Sequence, residues 1–233
     1  MDNAAIFSHV DHTLLAAAAS WKEMEGLCRE AVQYKTASVC VPPSYIKRIA
    51  ESFAGLNVCA VIGFPLGYSV LNAKRAEAKA AIADGAREVD MVVNIGDVKN
   101  GAFDRVTAEI RVLKKTVGNN ILKVIIETCY LTMAEKVALC RCVTDGGADY
   151  IKTSTGFGPA GATLEDVLLF KEHIGPMVKI KAAGGIRSRE DMVAYLEAGC
   201  DRLGTSSAVK LLAGGATGGY EGRSLTCGQQ TIP

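Results

Sequence analysis

"GGADYIKTST", Gly146 to Thr155, is the stretch from which the architecture can be read. A glycine suited to ending a helix in the left-handed region is followed by a small residue, a polar residue and a short run opened by the β-formers Tyr150 and Ile151. The same order recurs in "DGAREVD" (Asp84–Asp90) and "AGCDRLG" (Ala198–Gly204), so one kind of junction feeds a strand three times. Counting the same step forward from Gly85, Gly147 and Gly199 reaches Asp90, Lys152 and Gly204.

Outward from these junctions, β-branched runs alternate with longer amphipathic ones. The strand candidates are "SHVDHTLL", "ASVCV", "VCAVIGF", "EVDMVVNI", "LKVIIET", "DYIKTST", "VKIKAAGG" and "DRLGTSS". Such alternation is the pattern of repeated βαβ units around a parallel sheet. The spacer "NAKRAEAKAAIADG" is rich in Ala, Lys and Glu and stops at a glycine, as a capped helix does. In 233 residues this predicts an α/β chain folded as a single-domain (β/α)8 TIM barrel, with an open doubly wound sheet as the alternative. The barrel is expected over residues 1–213 and a flexible, Gly- and Thr-rich tail over 214–233. The three repeated junctions feed the fourth, sixth and eighth strands. Alternate strands fill the same interior layers, so Asp90, Lys152 and Gly204 are expected at one depth.

The composition excludes several classes. The formal net charge is +1 and the basic residues are scattered, which gives no stripe for nucleic acid. No apolar run is long enough to span a membrane, and "MDNAAIFSHV" lacks the order of a secretion signal, so a cytoplasmic setting is expected. Eight cysteines are dispersed through strands and helices, and Cys140 and Cys142 lack metal-finger spacing. His9, His12 and His173 are too scattered to form a metal cluster. Reduced thiols, no metal and no cofactor are the resulting expectations.

Lys152 is anomalous, because strands of a covered parallel sheet read as nearly continuous apolar runs. The seventh strand adds Lys179 and Lys181, two apart and so on one face, with Lys181 nearer the carboxyl end where barrel active sites lie. Lys181 is the better partner for Lys152, and Lys179 is expected to form an ion pair deeper in the barrel. Two close ammonium groups each favour deprotonation of the other, and a neutral lysine is the nucleophile of Schiff-base chemistry. Lowering a lysine from its ordinary pKa of roughly 10.4 to a catalytic 7 to 8 requires about 4 kcal/mol.

The glycine-rich loops suggest an anion. "AGGIRSRED" places Gly184 and Gly185 after the seventh strand, with Ser188 able to cap a helix. "LGTSSAVKLL" places Gly204, Thr205, Ser206 and Ser207 where the eighth strand meets another helix start. Loops after strands seven and eight are the usual phosphate site of barrels.

Together, "DHTLL", "SVCV", "VIGFPLG", "EVDMVVNIG", "KVIIET", "IKTSTGFGPAGAT", "KAAGGIR" and "GTSS" resemble the deoxyribose-phosphate aldolases, a family of class I, metal-independent aldolases, from about Val10 to Ser207. The resemblance implies a Schiff base on Lys152, with Lys181 perturbing it and Asp90 acting in proton transfer. It implies that Asp11, Thr13 and Cys40 line the substrate pocket and that Gly184, Gly185, Gly204, Ser206 and Ser207 hold a phosphate. The implied substrates are a phosphosugar and small aldehydes, handled in deoxyribonucleotide catabolism. Oligomeric state is left open, a homodimer among the options. His12 reads as a structural residue. The chain departs from the family pattern at "AAAAS" after "DHTLL", and again beyond Tyr220, a candidate tail proton relay that a longer terminus follows here. Another Schiff-base barrel aldolase with a longer donor, and a silent phosphate-binding barrel, are the two competing readings.

Overall fold

Alternation along the strands builds the molecule. The computed structural model describes residues 1–214, and its eight described strands are β1 (Val10–Thr13), β2 (Ser38–Val41), β3 (Val58–Ile62), β4 (Glu88–Val92), β5 (Ile121–Ile125), β6 (Tyr150–Lys152), β7 (Lys179–Ala183) and β8 (Arg202–Thr205). They close into a parallel barrel in chain order, with β1 paired to both β2 and β8, so the open-sheet alternative is rejected. Each quoted candidate run carries one of these strands. Of the expected tail, all but Gly214 lies outside the described residues, Tyr220 included.

Val39, Val41, Val58, Ala60, Val89, Met91, Leu122, Val124, Ile151, Ile180 and Leu203 are buried in the apolar shell between barrel and helices. The residues between them carry the polar groups of the interior. Asp11, Ser38, Cys40, Cys59, Glu88, Asp90, Lys123, Lys152 and Lys181 are all buried. Barrel interiors are usually filled by branched apolar side chains, and here much of that volume is ionic. No described helix is long and apolar enough to cross a membrane.

The helices start and stop on local signals. Ser20, Thr132 and Ser188 each accept from the backbone of the third helical residue, whose carboxylate returns to the cap, and these boxes open helices Trp21–Tyr34, Met133–Asp145 and Arg189–Ala198. Helix Leu71–Ala83 is followed by Gly85 at φ +111°, where the chain turns into β4. His12 acts as expected of a structural residue: its Nε2 meets Glu30 at 2.7 Å and ties β1 to the first long helix.

One buried cation fixes the carboxyl ends of β3 and β4. Lys74 is fully buried, donates to the Val92 carbonyl at 2.8 Å and pairs with Glu109 at 2.9 Å. A side chain at Gly63, just after β3, would meet Lys74 Cε at 2.8 Å, so the loop can cross here only without a Cβ. Truncation would leave Glu109 and a strand-end carbonyl without their partner. Lys74→Ala is expected to lower unfolding free energy by about 3–5 kcal/mol, measured by urea titration at neutral pH. A change under about 1 kcal/mol, the size of an exposed pair, would show that the lysine is dispensable to the frame.

Candidate active site

Asp90, in the middle of β4, is the hub of the interior. Its Oδ2 accepts from Lys152 Nζ at 2.7 Å and from Lys181 Nζ at 2.8 Å. Its Oδ1 accepts from Lys123 Nζ at 2.9 Å and from the Cys59 thiol at 3.0 Å. The two lysines read from the sequence thus meet on one carboxylate oxygen, which lies between amines expected to repel each other directly.

A second tier holds the first. Asp11 accepts from Lys181 at 2.5 Å, from Arg202 and, at 2.8 Å, from Ser38. Glu88 accepts from Lys123 at 2.5 Å, Arg202 at 3.0 Å and Asn57 at 2.6 Å. Burial opposes ionisation of Asp11 and Asp90, but the surrounding ammonium and guanidinium groups outweigh it and hold both well below the usual carboxylate range. Burial likewise opposes charge on Lys123 and Lys181, and the adjoining carboxylates hold both above the usual amine range.

The loop after β6 is bound on both sides. Thr153 Oγ1 donates to the Ala183 carbonyl and accepts from the Ala183 N–H, both at 3.1 Å, locking β6 to β7 beside Lys152. Glu127, buried at φ +53°, accepts from the Thr155 N–H at 3.1 Å and also from the Thr155 hydroxyl. Farther on, a Cβ at Gly161 would lie 2.3 Å from the Gly184 carbonyl, so this loop packs against the β7 loop backbone to backbone. Gly184 and Gly185 take successive positive φ values, +77° and +75°, which glycine adopts freely. Above β1 to β3 a cleft of about 390 Å³ opens among Leu15, Pro42, Val61, Phe64 and Phe157, the last two in edge-to-face contact at 5.3 Å.

Most sequence candidates converge here. Asp11, Asp90, Lys152 and Lys181 form one ionic cluster, and buried Cys40 lies beside it. Thr13 Oγ1 turns back to the Asp11 carbonyl at 2.7 Å. Gly204 adjoins the cluster, since a Cβ there would meet Lys181 Cε at 3.1 Å and Ala183 Cβ at 2.9 Å. Ser206 is exposed and Ser207 half-buried at the start of helix Ala208–Leu212.

Lys179 needs correction. It is exposed, has no ion pair among the described residues, and its amine stands 5.9 Å from the Tyr150 ring centroid. The register explains this, because Asp90, Lys123, Tyr150 and Lys179 lie on one ladder line that runs obliquely to the axis of a tilted barrel. By β7 the line has reached the amino-end opening, while Lys152 and Lys181, one inward step along their strands, come level with Asp90.

Lys123 occupies the deep position expected of Lys179. Together with Glu88, Arg202 and Glu127 it went unread, although a lysine inside "LKVIIET" is the same signal that exposed Lys152. Cys40, Cys59 and Asp90 form one cluster with metal-ligand spacing among the described residues. Three ammonium groups already contact the Asp90 oxygens, so a cation there would have to displace like charge.

A family model described as DeoC/LacD family aldolase matches residues 5–222. A deoxyribose-phosphate aldolase from Clostridium botulinum (strain Alaska E43 / Type E3) is 62% identical over 221 residues, covering 94% of this chain and all (100%) of that protein. The Clostridioides difficile (strain 630) protein of the same name is 54% identical over 216 residues, 92% of this chain and 99% of its own. A deoxyribose phosphate aldolase from Aeropyrum pernix, solved as a tetramer, has a TM-score of 0.82 at 33% identity over 91% of each chain.

The cluster sets a pH dependence. A carboxylate with a depressed pKa stabilises the fold above its unfolded value, roughly 3.9, and loses that contribution as pH falls through the folded value. The raised lysines contribute fully below roughly 10.4 and lose it only above that. Asp11→Asn leaves Lys181 and Arg202 short of a partner and should cost about 3–5 kcal/mol. Its difference from wild type in urea unfolding should stay level between about pH 5 and 9 and shrink below about pH 4, where Asp11 of the unfolded chain takes up a proton while the folded carboxylate stays ionised. A difference that grows toward acid would contradict the assigned charge.

Proposed function

The chain belongs to the DeoC/LacD aldolase family, and from that premise we propose that it reversibly cleaves 2-deoxy-D-ribose 5-phosphate to D-glyceraldehyde 3-phosphate and acetaldehyde through a Schiff base on Lys152. The observation that carries this reading is the single Asp90 oxygen shared by Lys152 and Lys181. Asp11, Glu88 and Asp90 are matched in number by Lys123, Lys181 and Arg202 alone. The amine that attacks an aldehyde must be neutral, and the charges then left around it, three of each sign, match.

In the proposed reaction the Lys152 nitrogen adds to C1 of the open-chain sugar, and the carbinolamine loses water to give an iminium. Removal of the C3 hydroxyl proton lets the C2–C3 bond break. Its electrons move into the iminium to form an enamine, and C3 leaves as the aldehyde carbon of the phosphorylated product. Protonation at C2 and hydrolysis then release acetaldehyde and restore the amine. Lys181 and Asp90 supply and take up protons along their shared contact, within reach of Lys152. Asp11 holds Lys181 from behind and acts as a positioning residue. The Gly184–Gly185 turn, the Ser206 N–H and the Ser207 hydroxyl hold the phosphate, the Ser207 N–H being donated to Thr205 Oγ1 at 3.1 Å, and Gly204 leaves room for Lys181. No cofactor is needed in this scheme, because the lysine itself is the electron sink. The names of the relatives favour this reaction over a longer ketose donor, which a donor screen separates.

Borohydride reduction in the presence of acetaldehyde should fix an ethyl group on Lys152 and end activity, while Lys152→Ala takes up none. Asp90→Asn should reduce cleavage by about 10²–10⁴ at a temperature where circular dichroism shows an intact barrel. Label on Lys181 with Lys152 unmodified would overturn the assignment.

Ser206→Asp tests the anchor separately. A fixed negative charge at that helix start should raise KM for the phosphorylated sugar far more than for deoxyribose. Equal losses on the two substrates would move the phosphate elsewhere.

A further inference from the structure

Cys40 and Cys59 are paired in register on adjacent parallel strands, and both side chains are fully buried in a small interior cluster with Val61. In-register neighbours in a sheet stand about 4.8 Å apart at Cα, inside the window of about 4.4–6.8 Å that a disulfide spans. The two sulfurs and an Asp90 oxygen lie within 4.8 Å of one another. The Cys59 thiol donates to Asp90 and receives a contact from Lys123 Nζ at 3.3 Å. We propose that Cys40 and Cys59 form an oxidant-responsive thiol pair in the wall of the active site, closed to a disulfide by a small hydroperoxide and reopened by a dithiol.

The surroundings divide the roles. The adjoining Cys59 side chain, helped by the fields of Lys181 and Lys152, outweighs burial and the Asp90 charge and lowers the Cys40 thiol to about 7. Burial, followed by the neighbouring Cys40 sulfur and Asp90, keeps Cys59 protonated. Cys40 is therefore the attacking thiolate and Cys59 the resolving thiol. Burial pushes Cys28, Cys129, Cys140, Cys142 and Cys200 upward, away from reactivity. Cys140 and Cys142, two apart on one helix, do not face each other. A hydroperoxide as small as hydrogen peroxide can use the route that an aldehyde must take to Lys152.

The chemistry balances. The Cys40 sulfur attacks the peroxide, the O–O bond breaks, and a sulfenic acid and hydroxide form. That hydroxide takes the Cys59 proton to become water. The Cys59 thiolate then displaces hydroxide from the Cys40 sulfur, forming the S–S bond, and the proton first lost by Cys40 completes a second water. Sulfur is oxidised by two electrons and the peroxide reduced by two. A dithiol reverses the link by exchange and leaves as its own disulfide. Closure removes the Cys59 hydrogen that Asp90 accepts and draws the β2–β3 wall together, so the site loses a donor to its hub.

The test uses the reduced full chain, titrated with hydrogen peroxide, quenched by alkylation and mapped by mass. The link is read without turnover, so it stands apart from the proposed reaction. A Cys40–Cys59 peptide should be the first oxidised product, with borohydride trapping of acetaldehyde at Lys152 lost in proportion and recovered on adding dithiothreitol. In Cys59→Ser the oxidised Cys40 should go past the sulfenic acid, to a product that dithiothreitol does not repair. A first link elsewhere, Cys227 included, would overturn the proposal. So would full trapping by the linked protein, or Cys40 over-oxidation in the wild type with Cys59 still free.

Discussion

The interior of this barrel is governed by one constraint, that charges removed from water must find one another. Asp90 could not remain ionised at zero exposure without Lys123, Lys152 and Lys181, and those amines could not remain there without it. All eight described strands are drawn into this condition. β1 and β4 bring the carboxylates, β5 to β8 bring the cations, and β2 and β3 supply Ser38 and Cys59 as donors. An assembly of this kind is poor at generating net stability, because desolvation consumes most of the Coulombic gain. The favourable free energy of folding comes instead from the apolar shell outside the strands, and the ionic centre fixes a unique register within it.

The register also explains how much the sequence could say. Strand positions and the closed barrel were legible, because apolar alternation and the helix-ending glycines are local signals. Lys152, Lys181 and Asp90 were legible as polar groups inside apolar runs at matched steps from their junctions. Which of several inward lysines lies deep was not, because depth depends on barrel tilt, a property of all eight strands at once. Lys179 and Lys181 look alike in sequence, yet one reaches solvent at the amino end and the other meets Asp90. Lys123 was legible by the same signal as Lys152, a lysine between apolar neighbours, here the core residues Leu122 and Val124. Glu127 gave no such signal, because a left-handed glutamate bound to Thr155 is visible only once two loops meet.

Those loops carry the constraint outward to the mouth of the site. Thr153 clamps β6 to β7 directly above Lys152, and Glu127 holds Thr155, so the backbone carrying the proposed nucleophile is bound before substrate arrives. The Gly161–Gly184 approach then sets the β7 turn at a fixed offset from that backbone. The proposed amine and phosphate anchor are thereby held on one rigid frame, which is what bond cleavage at a set distance from a phosphate requires. The apolar cleft above β1 to β3 lies on the other side of the mouth, so the site has a polar flank and an apolar one.

The same charge balance has a second consequence. Three carboxylates, those of Asp11, Glu88 and Asp90, face the amines of Lys123, Lys152 and Lys181 and the guanidinium of Arg202, one basic group more than there are acids. A Cys40 thiolate supplies the missing anion, and that thiol lies in the fields of Lys181 and Lys152. A thiolate there is open to oxidants, whereas a protonated thiol is not. The hydrogen bond from Cys59 to Asp90 bears on that choice, since it ties the thiol wall to the carboxylate that both lysines share. The proposed Schiff-base lysine and the proposed thiol pair thus lean on one carboxylate, and a substitution at Asp90 should disturb both.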